Sequence, residues 1–597
     1  MKTTTPTPTR SPPRRAGRLP LLLVLVVPLL ALWPVITAEF ISLDDPANVS
    51  RNEKLNPPTL RGVAWYWANP YLNMYAPLTY TAWAGVARLA WMDAVDEEGL
   101  QLNPYIFHAA NLLVYLINAV LVFALLRKLL ASDTRGDDRT DQLVAPPART
   151  AWAACAGALL FALHPMQVEP VAWVTGFRDV LAAMFSLASL LAYLNHAMGA
   201  GRTRARSYLL ACVFLVAALL CKPTTVTVPL VVAALDWGVL RRPLRDVAKP
   251  VAGLLLLVIP FVILTKRFQS AELTFTPPLW SRPIIAADAL SFYALKLGAP
   301  VRLGMDYGRS PQWLLDQPGM GWLWLGIIPL GVGLWLLRRR LWATAGVAVF
   351  VLGVLPVLGL TKFDFQLHST VADRYVYLAM LGPALLLAFL VRRGGRNTAI
   401  ACSVALALLA VRSHVQTTAW HTSGSIYRTT LDTNRDSLIA HRGLGQIAMS
   451  SGRFADAEQH FTSALRVRPD DTVANFHLGN LYLATNRPTQ AVPHLQIAAA
   501  AHDEPWVVTN YANALARSGN LAGARTALES ALSKSPDSAE LHASLAAVLF
   551  RQGDRAGAAN HYRNALRINP SFTLAAQELA ALETPSRTTS PSSQPPD

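Results

Sequence analysis

The chain has 597 residues, of which 52% are hydrophobic and 15% charged. A soluble globular chain carries about 25% charge, so a soluble multidomain protein is excluded, and the long apolar runs exclude a disordered or collagen-like chain. The formal net charge is +16, but the arginines sit in short clusters beside apolar runs and read as topology signals, not as a nucleic-acid surface.

Residues 1–18, rich in Thr, Pro and Arg, read as a flexible basic cytoplasmic arm. The apolar run at 19–38 has no clear small-x-small cleavage site and reads as a signal anchor. Further apolar runs lie at about 104–126, 150–164, 179–197, 207–221, 223–239, 250–265, 321–337, 341–360, 375–391 and 397–413. Together they predict about eleven spanning helices, since backbone groups in lipid must bond internally. The clusters Arg14–Arg15–Arg18, Arg127–Lys128, Arg202 to Arg206, Arg241–Arg242, Arg338 to Arg340 and Arg392 to Arg396 assign one side to the cytoplasm. Loops 39–103, 165–178, 266–320 and 361–374 then face outside, with everything after 414. Two amphipathic stretches, 73–92 and 284–299, either lie at the interface or form a hairpin of crossings. The four cysteines, Cys155, Cys212, Cys221 and Cys402, have neither zinc-site nor disulfide-scaffold spacing.

Charge in or against a bilayer is costly and usually functional. Asp44–Asp45, in LDDPAN, directly follows the first apolar run. Paired carboxylates there serve as general base and as a phosphate- or metal-facing group, or form a helix-end turn. The stretch FALHPMQVEPVAWVTGFRDV carries His164, Glu169, Arg178 and Asp179. Arg178 pairs with a phosphate or with Asp179, while His164 and Glu169 exchange or orient protons; the alternative is a loop salt-bridge set. Lys222, in CKPTTVTVP, reads as a buried cation for a phosphate anion or as a snorkelling side chain. HSTVADRYVYL supplies His368, Asp373, Arg374, Tyr375 and Tyr377, a grip on a lipid phosphate or an interfacial aromatic belt. His108 and Asn111 share one side of a predicted helix and bond to a neighbour there. All these clusters fall on the same external side, which points to one extracytoplasmic site.

From Leu438 a period of about 34 residues appears. Gly452, Asn486, Gly519 and Gly553 recur in register, as do Ala457, Ala491, Ala524 and Ala558. So do Phe461, Leu495, Leu528 and Tyr562. The pattern predicts four helix-turn-helix units of tetratricopeptide (TPR) type, starting near 438, 472, 505 and 539, within 438–582. Such units stack because one alone cannot bury its apolar face. Their expected use is a concave surface for a peptide or protein. The Ser/Pro/Thr tail at 583–597 reads as disordered.

The blocks LDDPANVSRN, YAPLTYTAW, NPYIFHAANLLVYLIN, FALHPMQVEPVAWVTGFRDVLAAMFSLASLLAYL, CKPTTVTVPLVVAALDWGVLRR and ADRYVYL resemble multispanning TPR proteins related to the TMTC mannosyltransferases, membrane glycosyltransferases of the GT-C class. The resemblance implies an all-α fold: a polytopic GT-C-like helix bundle over 19–413, a linker or first helix at 414–437, then a TPR superhelix. It implies a sugar carried on a polyprenyl or dolichyl phosphate and transferred to an extracytoplasmic hydroxyl acceptor with inversion. Asp44 or Asp45 would be the base, with Glu169 as the further acidic residue. Arg178, Lys222 and Arg374, assisted by Tyr375 and Tyr377, would hold the donor phosphate. His164, Asp179, Asp373, His368, His108 and Asn111 would orient these groups. Mg or Mn would bridge carboxylate and phosphate if a metal is used; the sequence gives no ligand set. The Arg-over-Lys, Ala-rich composition suggests a bacterial inner membrane, with the TPR units periplasmic. The competing readings are a non-enzymatic TPR scaffold and a lipid or glycan transporter.

Overall fold

The computed structural model describes residues 17–95, 99–132, 147–268 and 275–584, so the basic arm and the C-terminal tail lie almost wholly outside the described residues. Among the described residues the chain is helical, with three isolated β-bridges and no sheet. It divides into two compact units, residues 1–435 and 436–597.

In the first unit, eight of the described helices are long and apolar enough to cross a membrane: Arg18–Thr37, Pro104–Ser132, Val174–Met198, Gly201–Cys221, Pro223–Leu240, Leu244–Phe268, Pro318–Leu337 and Arg396–Ala419. A ninth results if Ala148–Leu163 and Pro165–Ala172, bent by 59°, form one span. The expected eleven also include the runs at 341–360 and 375–391, which form Leu341–Val354 and Leu381–Arg393, of 14 and 13 residues. At 1.5 Å per residue each is about 20 Å long, against a hydrocarbon core of about 30 Å. Tight helical turns at Leu355–Val357 and Asp373–Val376 adjoin them. The amphipathic stretches form Pro77–Ala90 and Arg282–Gly298.

One helix organises the interior of this unit. His108, Asn111, Tyr115 and Asn118 recur along Pro104–Ser132 at helical spacing and are buried, so they form one polar stripe. The stripe faces the chain that Pro165 and Pro170 interrupt, where broken helix leaves carbonyls unbonded. Tyr115 Oη donates to the Ala162 carbonyl (2.8 Å), and Asn111 Nδ2 to that of Trp173 (2.9 Å). Asn118 Nδ2 donates to the Val180 carbonyl (2.8 Å), and from another helix Ser413 Oγ reaches that of Leu163 (2.7 Å). Buried backbone groups in an apolar interior need such partners, which is why amides and hydroxyls sit in otherwise apolar helices. The turn between the broken pieces closes at Gly176, where a Cβ would run into the Pro170 backbone.

In the second unit four helix pairs follow each other: Leu438–Ser450 with Phe454–Val467, Thr472–Ala484 with Pro488–Ala501, Pro505–Arg517 with Leu521–Lys534, and Ala539–Arg551 with Arg555–Ile568. Thr573–Glu583 packs on the last pair. The turn inside each pair uses Gly452, Asn486, Gly519 or Gly553, all at positive φ, the conformation that favours Gly and then Asn. Ala457, Ala491, Ala524 and Ala558 are buried at the helix crossings, beside Phe461, Leu495, Leu528 and Tyr562. Gly445 and Gly479 leave room for Phe461 and Leu495, which a Cβ would strike. Side-chain caps at Ser437, Asp471, Asn520, Ser538 and Asp554 satisfy the first-turn amides.

Candidate active site

The two neighbouring aspartates have different environments. Asp45 is 0% exposed. Its Oδ2 accepts from the Ile41 amide (2.8 Å), and its Oδ1 from the Thr175 amide (2.9 Å) and Thr175 Oγ1 (2.6 Å). Burial pushes its carboxyl up to about 7, against the opposing pull of these hydrogen bonds. Asp45 thus fastens the loop after the first span to the Val174–Gly176 turn. The Asp44 side chain is 48% exposed, with Arg178 Nη2 at 4.0 Å. Asp44 is therefore the solvent-accessible carboxylate of the two.

Arg178 and Asp179 open the Phe177–Met198 helix. Successive helical positions point about 100° apart, so the two charges serve different neighbours. Arg178 faces Asp44, the Met74 sulfur (3.8 Å) and the ring of Trp83 (6.0 Å). Asp179 forms a short ion pair with Lys222, which sits where Gly201–Cys221 gives way to the Pro223–Thr227 turn.

Asp179 and Lys222 line a cleft with Thr224, Thr225, Arg374, Tyr375 and Tyr377, closed by Ala182, Ala183, Gly353, Val357 and Leu378. The space enclosed between them is small, about 40 Å³. Arg374 is anchored from below: its backbone amide donates to Glu169 Oε2 (3.1 Å) and its Nη1 to Glu169 Oε1 (2.5 Å). The rings of Phe365 and Tyr375 stand 4.2 and 4.9 Å from the guanidinium. Glu169 is thus the counter-ion that holds Arg374 at the cleft wall, and Arg178 and Arg374 both lie close enough to act on Lys222 electrostatically. Lys222 and Arg374, from two distant stretches of sequence, share the cleft, while Arg178 faces Asp44.

The other expected residues sit around this core. Asp373 is buried and accepts from Tyr307 Oη (2.7 Å); burial, then the charge of Glu169, holds its carboxyl well above the usual range. His164 caps the bend between helices, its Nδ1 accepting from the Met166 amide (3.4 Å) and its Nε2 lying 3.3 Å from the Leu297 carbonyl. His108 Nε2 lies 3.3 Å from the Glu39 carbonyl, and Asn111 bonds the Trp173 carbonyl. His368 ends the Asp364–Leu367 turn, its ring against Phe365. Thr175, Asn118 and Gln167 were not expected from sequence, because uncharged amides and hydroxyls in apolar stretches carry no charge signal. Among the described residues no group of three or more His, Cys, Asp or Glu is arranged to hold a metal. Asp44 faces the Arg178 guanidinium at 4.0 Å.

The tetratricopeptide repeat family model matches residues 425–472, 442–505 and 511–571. Protein O-mannosyl-transferase Tmtc3 of Drosophila melanogaster is 24% identical over 464 residues, 65% of this chain and 49% of that protein. Human protein O-mannosyl-transferase TMTC3 is 22% identical over 516 residues, 77% and 52% of the two chains. Drosophila Tmtc2 is 30% identical over 222 residues, 35% and 22%. The chain spans about half the length of the first of these relatives. Among solved structures, YrrB, a TPR protein with an unusual peptide-binding site, is 20% identical and covers 26% of this chain and 81% of its own, with a TM-score of 0.25. MamA is 19% identical, covering 24% and 80%, with a TM-score of 0.23. The relatives overturn the expected bacterial inner membrane: those that match are proteins of fly, worm, mouse and human. An Arg-rich, Ala-rich composition follows coding bias as readily as cell type and does not fix the membrane. The multispanning architecture with C-terminal repeats stands, and with several TMTC-family homologues and a TPR match the chain is consistent with a TPR-containing multispanning membrane protein of the TMTC-like family.

Proposed function

We propose that the chain is a GT-C-type glycosyltransferase that moves a sugar from a polyprenyl-phosphate donor to a hydroxyl acceptor with inversion. The observation that carries this reading is the cleft itself: Lys222, Arg374, Tyr375 and Tyr377 share it with Asp179, and the preceding residue, Arg178, turns to the half-exposed Asp44. The donor phosphate would occupy the cleft, competing with Asp179 for Lys222, with its isoprenyl tail toward the apolar lining. Asp44 would take the proton of the acceptor hydroxyl as its oxygen attacks the anomeric carbon. The bond from that carbon to the phosphate oxygen breaks, and the charge left on the phosphate is stabilised by Lys222 and Arg374. Arg178 orients Asp44, and Asp45 holds the loop that presents it. The activity for which the relatives are named makes mannose the first sugar and a protein hydroxyl the first acceptor to test. The TPR unit would engage that acceptor on the extracytoplasmic side.

The test is transfer from dolichyl phosphate mannose to a Ser/Thr-containing protein in liposomes. Asp44→Asn and Lys222→Ala, each folded and inserted, should lose activity by at least about a hundredfold, the lower range of a general base's contribution. Unchanged activity in both would remove the enzyme reading and leave the scaffold in its place.

A further inference from the structure

Tyr377 lines the cleft, yet its hydroxyl serves the protein as an acceptor. Asn118 Nδ2 donates to Tyr377 Oη (2.9 Å) and to the Val180 carbonyl (2.8 Å), which spends both amide hydrogens. The Val180 carbonyl fixes which way the amide faces, since the flipped form would set oxygen against oxygen. Asn118 Oδ1 has no partner among the described residues. A phenol that accepts in this way still has its own hydrogen to give, and Asn118 is its hydrogen-bond partner here. The ring cannot swing away. It is wedged by Tyr115 and Phe161, at 5.9 and 5.4 Å between centroids, and Gln167 Nε2 holds the Tyr377 carbonyl (3.2 Å). The other polar groups of the wall also offer hydrogens. Lys222 and Arg374 carry N–H groups beyond those given to Asp179 and Glu169.

Resting on the phosphate reading of the cleft, we propose that Asn118 is a positioning residue: by donating to Tyr377 Oη it turns the phenol into a third donor toward the anionic oxygens of the lipid-borne phosphate. Asn118 lies 259 residues from Tyr377 in sequence and would act on the ligand only through it.

The experiment is titration of the full-length protein in detergent with farnesyl phosphate, with farnesol as the phosphate-free control. The wild type should bind farnesyl phosphate and not farnesol, and Lys222→Ala should abolish binding. Tyr377→Phe should weaken binding about tenfold, the low end for a hydrogen bond to a charged group. Asn118→Ala should weaken it several-fold, while in the Tyr377→Phe background it should change nothing. A purely structural Asn118 would cost the same in both backgrounds, and that additive result, or wild-type binding by Asn118→Ala, overturns the inference while leaving the cleft reading intact. Thermal unfolding of each variant identifies any loss that comes from misfolding. If the wild type does not bind farnesyl phosphate, or Lys222→Ala binds it equally well, the cleft reading itself falls and takes the inference with it.

Discussion

The repeat unit and the loop end of the helix bundle use charge in opposite ways. In the repeats the ion pairs Arg453–Asp456, Arg525–Glu529 and Arg563–Glu583 are about half exposed, and the fold depends on small and large apolar residues in register. In the bundle, Glu169–Arg374, Asp179–Lys222, Asp236–Arg242 and Asp288–Arg309 are largely buried. Exposed pairs add little stability, and buried pairs often add none beyond what apolar residues would give. A chain that keeps several buried pairs therefore keeps them for something other than bulk stability, and two of the four stand at the cleft.

The contrast can be broken by removing one partner in each region. Arg374→Ala leaves Glu169 buried and unpaired, so a loss of about 3–5 kcal/mol is expected, seen as a large fall in thermal stability in detergent. Asp45 gives a smaller, pH-dependent effect. Its carboxyl is held near 7 in the fold, against about 3.9 unfolded. Between these values the folded state binds more protons, so stability falls as pH rises from about 4 to 7 and is flat above, by a few kcal/mol at most. Unfolding of the wild type and Asp45→Asn across that range checks it: the slope should disappear in the variant. Arg525→Ala should leave the unfolding temperature unchanged, and a clear loss there would erase the distinction between the two regions.

The repeats were legible because their signal is local: a turn residue, a small residue and a large one return about every 34 positions. The chemistry at the cleft was legible in kind, since Lys222, Glu169 and Arg374 are ionisable residues beside apolar runs. The pairing was not. The resemblance makes Glu169 a further acidic residue of the site, and no sequence signal says that its partner in the fold is Arg374. Asp44 and Asp45 are adjacent and chemically identical in sequence; burial separates them, and burial depends on Thr175, about 130 residues away. Asn118, Asp236 and Asp288 went unmarked, although an aspartate inside an apolar run, as in LVVAALDWGVL, was signal enough to ask for a partner.

The donor stripe on Pro104–Ser132 limits how the bundle can move. Asn111, Tyr115 and Asn118 each hold a carbonyl of the interrupted chain opposite, so a twist of that helix by one residue's rotation would orphan them all together. Long helix and broken neighbour must travel as a single rigid piece. Across the cleft, Gly353 and Val357 carry no side-chain polar atoms with which to anchor themselves. Any widening of the cleft is therefore expected to come from that apolar side, with the ionic wall standing still.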